Sequence, residues 1–266
     1  MWFPRLNNIS YLLLIPSIVL FLFAGGIENG AGESMLSIIS SIPLAINKRL
    51  TKSEREQYIL SPEQIEGQAL IGHILGDGTL VRFNPKNDKG TSNARFIFAQ
   101  SHVREEYFNH VYSIFKPYCK GGSYQYRGDS KLTGTYLGFR FNTLTLPCFN
   151  FFYDLFYIDR VKIIPVNIIE YLTPISLATW ISDDGSFHSK GYLVLCTDGF
   201  TQPEVELLCS ALSDKWSLKC RCERNGKHFR IIIAKSTMDI VRSLCKNHMH
   251  RSILYKIGVS ILNDVK

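Results

Sequence analysis

The sequence predicts an α+β fold of two similar halves, each with the element order αββαββα, preceded by a hydrophobic N-terminal helix. The main observation is an internal repeat, because LIGHILGDG at residues 70–78 corresponds to LATWISDDG at residues 177–185. Both segments are predicted to end a helix at Asp-Gly, and a strand, a polar break and an amphipathic helix follow each copy. A second hairpin and a closing helix complete each half. We place the halves at residues 59–165 and 166–266.

The N-terminal region has a different character. Residues 9–25 contain no charged side chain, and their length is close to the lower limit for crossing a bilayer. A signal peptide is the alternative, but the run is long for one and Pro16 interrupts it. Residues 3–32, FPRLNNISYLLLIPSIVLFLFAGGIENGAG, resemble cytochrome c oxidase subunit I, a mitochondrially encoded membrane protein. The resemblance implies an intron reading frame continuous with its upstream exon, in which residues 1–32 derive from the exon and 33–58 form a linker.

Both repeated helices carry N-terminal capping signals. Ser61, Pro62 and Gln64 predict an N-cap serine, a proline at the first helical position and a capping-box glutamine. Thr173 and Pro174 repeat the cap and the proline. We therefore expect the two helices to begin at Pro62 and Pro174.

The last hairpin shows how the sheet faces divide. Asn225-Gly226 is a strong hairpin signal, and a two-residue turn there would pair Arg224 with Lys227. Strand alternation then separates an apolar face from a polar one. The apolar face comprises Leu218, Cys220, Cys222, Phe229, Ile231 and Ile233, and the polar face comprises Lys219, Arg221, Glu223, His228 and Arg230. The same alternation in the first half puts Leu137, Phe139 and Phe141 inside and Tyr136, Arg140 and Asn142 outside.

The charge balance favours a polyanionic partner. The formal net charge is +7 and the pI is about 9.0. A basic sheet face fits the major groove of DNA, where Arg, Lys, Asn and Gln read base edges. Ordinary basicity and a solvated sheet face are the alternatives. The candidate DNA-binding residues are Arg82, Arg95, Gln100, Tyr136, Arg140, Asn142, Lys190, Lys219, Arg221, His228 and Arg230.

The cysteines predict buried thiols in a reducing compartment. There are seven, an odd number, and most lie in apolar runs. Core packing explains Cys220 and Cys222 better than a metal site does. Cys245, His248 and His250 lack a fourth zinc ligand and fall in the closing helix, so we interpret them as core and surface residues.

LIGHILGDG and LATWISDDG resemble the LAGLIDADG motif of homing endonucleases, present twice as in the single-chain members of that family. The likeness covers about residues 55–262. It implies two pseudo-symmetric halves that form a saddle-shaped DNA-binding surface, with the motif helices side by side between them. The family favours small residues where these helices cross. This sequence keeps Gly72, Gly76 and Ala178 small and departs from the pattern at Ile71 and Asp183.

The resemblance also implies a metal site at the floor of the DNA groove. Asp77 and Asp184 would each give a carboxylate to Mg²⁺ or Mn²⁺, which would lower the pKa of the attacking water. Gly76 and Asp183 correspond to positions whose backbone carbonyl lies near the metal, and we favour Asp184 over Asp183 as the side-chain ligand.

Three further residues are candidates for the chemistry. Lys162 in RVKIIP and Lys256 in LYKIGV both follow the last helix of their half and precede an isoleucine. They correspond to the basic residue that the family often holds beside each metal, and surface lysine is the alternative. Gln100 is a weaker candidate for the solvent network.

These features together predict a site-specific double-strand DNA endonuclease encoded in a mitochondrial group I intron. It would act as a monomer in the matrix on a long asymmetric target at the exon junction. The N-terminal segment would be inherited coding sequence rather than a functional anchor, and association of this segment with the membrane is the alternative. One alternative is an RNA maturase, with intron RNA as its partner. Another is a DNA-binding or membrane-associated protein without catalysis.

Overall fold

The computed structural model describes residues 50–82, 92–130 and 134–260, except the side chains of Asp129 and Ser130. The chain divides into two compact units, Met1–Lys52 and Ser53–Lys266. The fold described below belongs to the second unit. The hydrophobic N-terminal helix and most of the linker expected from the sequence lie outside the described residues.

The first half of the fold follows the predicted order of elements. It begins with a short helix α1 and the first motif helix α2, and a small hairpin closes it. The elements are α1 (Lys52–Glu56), α2 (Ile65–Leu75), β1 (Thr79–Arg82), β2 (Ala94–Ser101), α3 (Glu105–Phe115), β3 (Tyr124–Ser130), β4 (Gly134–Asn142), α4 (Asn150–Phe156), β5 (Tyr157–Ile158) and β6 (Val161–Lys162).

The second half repeats this order. Its elements are α5 (Ile168–Tyr171), the second motif helix α6 (Pro174–Asp184), β7 (Gly185–Phe187), β8 (Leu193–Cys196), α7 (Gln202–Trp216), β9 (Cys220–Asn225), β10 (His228–Ile233), α8 (Met238–Cys245) and a 3-10 helix at Arg251–Ile257. Both halves build a four-stranded antiparallel sheet, in the orders β1-β2-β4-β3 and β7-β8-β10-β9. The α+β fold with two αββαββα halves is thus confirmed. The division between residues 165 and 166 stays a prediction.

Each sheet packs one apolar face against its helices. Strand β2 alternates buried and half-buried residues along its whole length. Its buried rings join an aromatic cluster that comprises Phe96, Phe98, Phe108, Phe115 and Phe141. In the second half the equivalent core is aliphatic and includes Leu193, Leu195, Leu208, Leu212, Ile231 and Ile233. Because one face of each sheet packs against these cores, the opposite face of each sheet is available for a partner.

The motif helices α2 and α6 pack at very short range. A Cβ atom added to Gly72 would lie 2.3 Å from the carbonyl oxygen of Ser176, and one added to Gly76 would lie 2.5 Å from Cβ of Asp183. Only glycine leaves room for such an approach of two backbones. Ile71, which departs from the small-residue pattern, is fully buried. The side-by-side packing of the motif helices is therefore confirmed.

One of the two predicted helix starts is wrong. Thr173 is the N-cap of α6, and it forms a capping box with Ser176. Helix α2 instead begins at Ile65, because Ser61 and Gln64 close a turn ahead of it. The Gln64 side chain accepts a hydrogen bond from the Ser61 amide at 2.8 Å, which is the capping-box bond made one turn before the helix.

The hairpin turn lies one residue later than predicted, so each strand residue pairs with a partner two residues away from the predicted one, and the faces are correct. Asn225 pairs with His228, so the turn residues are Gly226 and Lys227. Gly226 has φ of 61°, whereas Lys227 is not in the left-handed region, which suits a turn with glycine first. Because a shift of two residues keeps the strand parity, Ile231 lies opposite Cys222 instead of Cys220, and all three remain on the apolar face.

Leu137 is the exception among the residues expected inside. Its neighbours on the same strand face, Phe139 and Phe141, are half-buried and fully buried. Leu137 is 44% exposed because it lies toward the hairpin end of β4, away from the buried end of the strand. Alternation predicts on which face of the strand a side chain lies, but not how far along the strand the core buries that face.

All seven cysteines are free, in agreement with the prediction of thiols rather than disulfides, and the reducing compartment stays a prediction. Cys209 and Cys245 are buried and the other five are half-buried. Burial raises the pKa of Cys245 to about 12.

Within residues 50–82, 92–130 and 134–260, the helices are too short or too polar to cross a membrane.

Candidate active site at the ends of the motif helices

Two acidic residues lie where the motif helices end. Asp77 follows Gly76, the C-cap of α2, and Asp184 is the last residue of α6. Asp77 is exposed and Asp184 is half-buried. The carboxyl end of a helix carries partial negative charge, so a carboxylate there is unfavourable unless a cation is near. The crossing of the helices brings the two acids, one from each half, into the same site.

The acids repel one another. Although Asp77 is accessible, the protein atoms that surround it displace water, and this burial together with the charges of Asp184 and Asp183 raises the pKa of Asp77 to about 8. Lys256 and Arg104 act in the opposite direction. Oxygen donors with excess negative charge are the ligands that hard divalent cations prefer. The residues present therefore fit Mg²⁺ or Mn²⁺.

Gln100 holds the carboxylate of Asp77. Its Nε2 donates to Oδ2 of Asp77 at 2.7 Å. Gln100 is 7% exposed and lies near the end of β2, on the same strand face as the buried Phe98. Gln100 therefore lies on the helix side of the sheet, apart from the outward-facing candidate DNA-binding residues, and both its DNA contact and its role in a solvent network stay predictions.

Asp183 has a different environment from its neighbour Asp184. Its side chain is fully buried and accepts from His73 Nδ1, the Asp77 backbone amide and the Tyr107 hydroxyl. Its backbone carbonyl accepts from Lys256 Nζ at 2.7 Å. An ammonium group thus occupies the carbonyl that we expected near the metal, which argues against Asp183 as a metal ligand.

The two lysines serve the helix ends in the same way. Lys162 Nζ donates to the carbonyls of Ile74 at 2.9 Å and Gly78 at 2.8 Å. Lys256 Nζ donates to those of Ser182 at 2.5 Å and Asp183 at 2.7 Å. Both ammonium groups satisfy carbonyls of the last helical turn and offset the helix dipole, and Lys162 also binds the Gly78 carbonyl just beyond its helix. They are symmetry-related, as predicted, but they bind backbone rather than projecting freely toward a metal-bound water.

Lys256 is buried deeply enough to affect its charge. Burial and the nearby Arg104 guanidinium lower the pKa of Lys256 to about 8, although the acids Asp77, Asp183 and Asp184 oppose this shift. Arg104 is not among the residues that the sequence predicts for this site. It lies in the 3-10 turn His102–Arg104 after β2, and nothing in the local pattern distinguishes it from other surface arginines.

The outer face of the first sheet gathers several of the predicted DNA-binding residues. Arg140 Nε donates to Asn142 Oδ1 at 3.3 Å, and Asn142 Nδ2 donates to the Tyr124 hydroxyl at 3.2 Å. Burial and the charge of Arg140 lower the pKa of Arg95, so the two guanidinium groups are close. Tyr136 packs edge-on against Tyr126. The face is therefore polar, basic and aromatic.

Arg82 does not belong to this face. It lies opposite Ala94, a fully buried residue, on the helix side of the sheet. Its guanidinium group lies 4.5 Å from the centre of the Tyr153 ring and 2.6 Å from Asp154 Oδ1. Arg82 thus lies on the side of the sheet opposite the outward-facing candidates, and its DNA contact stays a prediction.

The outer face of the second sheet carries its charges in pairs. Arg221 donates two hydrogen bonds to Glu223, and Arg230 makes a bidentate pair with Asp198 at 2.9 Å for both bonds. Lys219 is exposed, and His228 is half-buried on the same face. An arginine that reads a base here would have to exchange its acidic partner for the base.

Lys190 lies outside the strands, in the loop between β7 and β8. It is exposed, and its backbone amide donates to His188 Nδ1 at 3.1 Å. The His188 ring stacks on Tyr192 at 4.3 Å between centres.

In the part of the chain that the structure describes, no three His, Cys, Asp or Glu side chains converge as metal ligands.

The LAGLIDADG DNA endonuclease family matches residues 67–241. The chain therefore belongs to this family, and the matched residues include Asp77 and Asp184. It is 28% identical over 233 residues to the cytochrome b mRNA maturase bI2 of Saccharomyces cerevisiae, a match that covers 80% of this chain and 52% of that protein. The chain thus spans about half the length of that relative.

Two other similarities cover nearly the whole of the matched protein. The DNA endonuclease I-ChuI of Chlamydomonas applanata is 26% identical over 218 residues, which cover 75% of this chain and 97% of that one. The homing endonuclease I-WcaI, solved bound to its DNA recognition sequence, superimposes with a TM-score of 0.71 at 26% identity. That match covers 83% of this chain and 97% of I-WcaI.

Proposed function

We propose that this protein is an intron-encoded homing endonuclease that cleaves both strands of a specific double-stranded DNA site with Mg²⁺ or Mn²⁺. The observation that carries the proposal is the meeting of Asp77 and Asp184, one from each half, at the ends of crossing helices. Two pseudo-symmetric acids suit a reaction that must occur twice, once on each strand. The relatives named as DNA endonucleases support the same reaction class.

The residues divide the work of hydrolysis. Asp77 and Asp184 would hold the cation, and Gln100 keeps the Asp77 carboxylate in place through its 2.7 Å hydrogen bond. A bound divalent cation supplies Lewis acidity toward the phosphate and an activated water. Lys162 and Lys256 stabilise the two helix ends from which the acids project. Mg²⁺ usually takes one or two protein carboxylates and completes its shell with water and phosphate oxygens, which matches this donor set.

DNA recognition would fall to the outer sheet faces. In the first half the candidates are Arg95, Tyr136, Arg140 and Asn142, which lie together on one face. In the second half they are Lys190, Lys219, Arg221, His228 and Arg230. Contacts to phosphate would position the duplex, and bidentate arginine or asparagine contacts to bases would select the sequence.

The upstream exon defines a target. If residues 3–32 derive from a cytochrome c oxidase gene, the intron is inserted just after the codon for Gly32, and the intron itself splits the recognition site. We infer that the enzyme acts as a monomer in the mitochondrial matrix and cuts the intronless allele at that junction. Each half would cover one side of a long asymmetric site.

The test uses the full chain with Mg²⁺ and three substrates. These are joined-exon DNA, the same DNA interrupted by the intron, and the precursor RNA. Cleavage of the joined-exon DNA alone supports the proposal. A protein that cuts both DNAs equally, or neither in Mg²⁺ or Mn²⁺, would contradict it.

A second candidate is an RNA maturase, which assists the splicing of its own intron. The similarity over 80% of this chain to a protein named as a cytochrome b mRNA maturase favours it. In the same experiment, faster splicing of the precursor RNA without DNA cleavage would establish the maturase instead.

A further inference from the structure

The buried carboxylate of Asp183 connects the two halves at the site. His73 Nδ1 lies 2.9 Å from its Oδ2, the Asp77 backbone amide lies 3.2 Å from the same oxygen, and the Tyr107 hydroxyl donates to Oδ1 at 2.6 Å. The three groups come from the first half, whereas Asp183 belongs to α6 of the second. A side chain with this burial and these three partners is held rigidly.

Asp183 is also adjacent in the chain to Asp184. One residue therefore touches both expected ligands, since it is linked to Asp184 by a peptide bond and to the Asp77 amide by a hydrogen bond. We propose that Asp183 is a positioning residue that fixes Asp77 relative to Asp184 and so sets the geometry of the metal site. This inference rests on the proposed function of the two acids.

The surroundings of Asp183 keep its carboxylate in one orientation. The His73 ring lies 4.8 Å from the Phe98 ring and 5.8 Å from the Phe115 ring, so the aromatic core fixes its direction. Burial and the negative charge of Asp183 raise the pKa of Tyr107 well above its usual value, so its hydroxyl remains a donor. Asp183 is thus anchored from the core of the opposite half.

Gly76 provides the space for this carboxylate. A Cβ atom at Gly76 would lie 2.7 Å from Oδ2 of Asp183 as well as 2.5 Å from its Cβ. The acid stands at a position where a small residue is expected, and the glycine on the other helix accommodates it. A side chain that served packing alone would not require three buried polar partners, because an apolar residue avoids their desolvation.

The first test is Asp183→Asn in the full chain, which keeps the volume but removes the charge and one acceptor oxygen. We expect Mn²⁺, measured by calorimetric titration, to bind about 10-fold to 100-fold more weakly, and kcat to fall by a similar factor, as for other groups that orient metal ligands. The Kd for joined-exon DNA in Ca²⁺ should change much less. Unchanged Mn²⁺ binding, or an equal loss of DNA binding, would overturn the proposal.

Thr197→Val is the matched control for stability. Thr197 is fully buried and its hydroxyl donates to the Phe229 carbonyl at 2.6 Å, within the second half. This variant removes a buried hydrogen bond without touching the acids. We expect it to lower Tm while Mn²⁺ affinity and kcat stay at wild-type values. If it lowers both as Asp183→Asn does, Asp183 acts through general stability and the proposal fails.

A triple variant separates positioning from stability and also serves if Asp183→Asn does not fold. His73→Leu, Tyr107→Phe and Asp183→Ala together replace the buried polar cluster with apolar groups, which is often neutral for stability. The Asp77 amide then has no acceptor. We expect this variant to fold but to bind Mn²⁺ more weakly and to cleave DNA more slowly than the wild type. Wild-type affinity and cleavage in this variant would overturn the proposal.

The endonuclease and the positioning role fail in different ways. A wild-type protein that binds Mn²⁺ but cuts none of the DNAs refutes the endonuclease, and the Mn²⁺ titrations of the variants still decide the role of Asp183. A wild-type protein that binds no Mn²⁺ with or without DNA removes the metal site and with it the positioning proposal.

Discussion

Adjacent acids in the chain have separate roles because their surroundings differ. Asp183 is buried and bound by three donors, whereas Asp184 is half-buried at the site. The sequence identified Asp77 and Asp184, because the repeat aligns them. It did not identify His73, Tyr107 or Arg104, since their roles depend on contacts between distant segments. No local pattern signals a histidine or tyrosine that faces an acid more than seventy residues away.

Asp77→Asn and Asp184→Asn should each abolish double-strand cleavage, because each removes a metal-ligand charge but little packing. DNA binding in Ca²⁺ should remain close to that of the wild type. A plasmid carrying the joined-exon site measures cleavage, and gel shift measures binding. Asp239→Asn is the control, since that side chain is 97% exposed and pairs with Arg242 rather than with a residue of the site. Full cutting by either site variant would refute the assignment of the acids.

The raised pKa of Asp77 predicts that pH changes two quantities: the stability of the metal-free protein and its affinity for a divalent cation. Because the folded state holds a proton up to about pH 8 and the unfolded state releases it near pH 4, the stability of the metal-free protein should fall as pH rises between these values. A divalent cation must displace this proton, so its affinity should rise over the same range. Thermal unfolding and Ca²⁺ titration at pH 6, 7 and 8 measure the two effects. Asp77→Asn should reduce both slopes, and equal slopes in that variant would contradict the interpretation.

At the scale of elements, the sequence predicted types and faces better than boundaries. Alternation identified the apolar face of β10, and the cap at Thr173 identified the start of α6. The start of α2 and the hairpin register were wrong because the same residues satisfy two local structures. Gln64 makes its backbone bond in a turn as well as it would in a helix, and Gly226 serves as the first or the second turn residue. Tertiary packing chose between them.

Gly72→Ala should separate the motif helices. The added Cβ meets the backbone of Ser176 at 2.3 Å, which a side-chain rotation cannot relieve. We expect a loss of about 1–3 kcal/mol in the free energy of unfolding, measured by urea denaturation. Gly121→Ala is the control, because its added Cβ meets nothing within 4 Å. Equal stability of the two variants would mean that the helices do not cross as closely as described.

The contact between α3 and the C-terminal segment predicts acid sensitivity. The His110 and His250 rings lie 5.0 Å apart, and burial together with the charges of His250 and His73 lowers the pKa of His110. The unfolded state therefore binds a proton more readily, so stability should fall as pH falls below about 6.5. His110→Gln should lose less Tm between pH 7 and pH 5 than the wild type. His102→Gln, at an exposed histidine, should leave the wild-type difference unchanged.

At the scale of the whole molecule, composition predicted that the partner is negatively charged, but not which residues contact it. The net charge of +7 is spread over the chain, and a count cannot tell an outer guanidinium from a paired one. Arg82 lies against Tyr153 and Asp154 on the helix side, while Arg95 and Arg140 share the outer face of the first sheet. The register between strands β1 and β2 determines on which face of the sheet each arginine lies, and the sequence does not specify that register.

The salt dependence of DNA binding should reveal this distribution. Each protein–phosphate contact releases counterions, so the affinity for the joined-exon duplex should fall steeply between 50 and 200 mM salt, by about a thousandfold or more for six or more contacts. Arg140→Gln should reduce the slope by about one if the guanidinium binds phosphate, or relax specificity at one base pair if it reads a base. Arg82→Gln is the internal control, because that guanidinium is bound on the opposite side of the sheet. Fluorescence anisotropy at four salt concentrations measures both variants against the wild type. If Arg82→Gln changes the slope and Arg140→Gln changes neither slope nor specificity, the outer sheet face is not the surface that binds DNA.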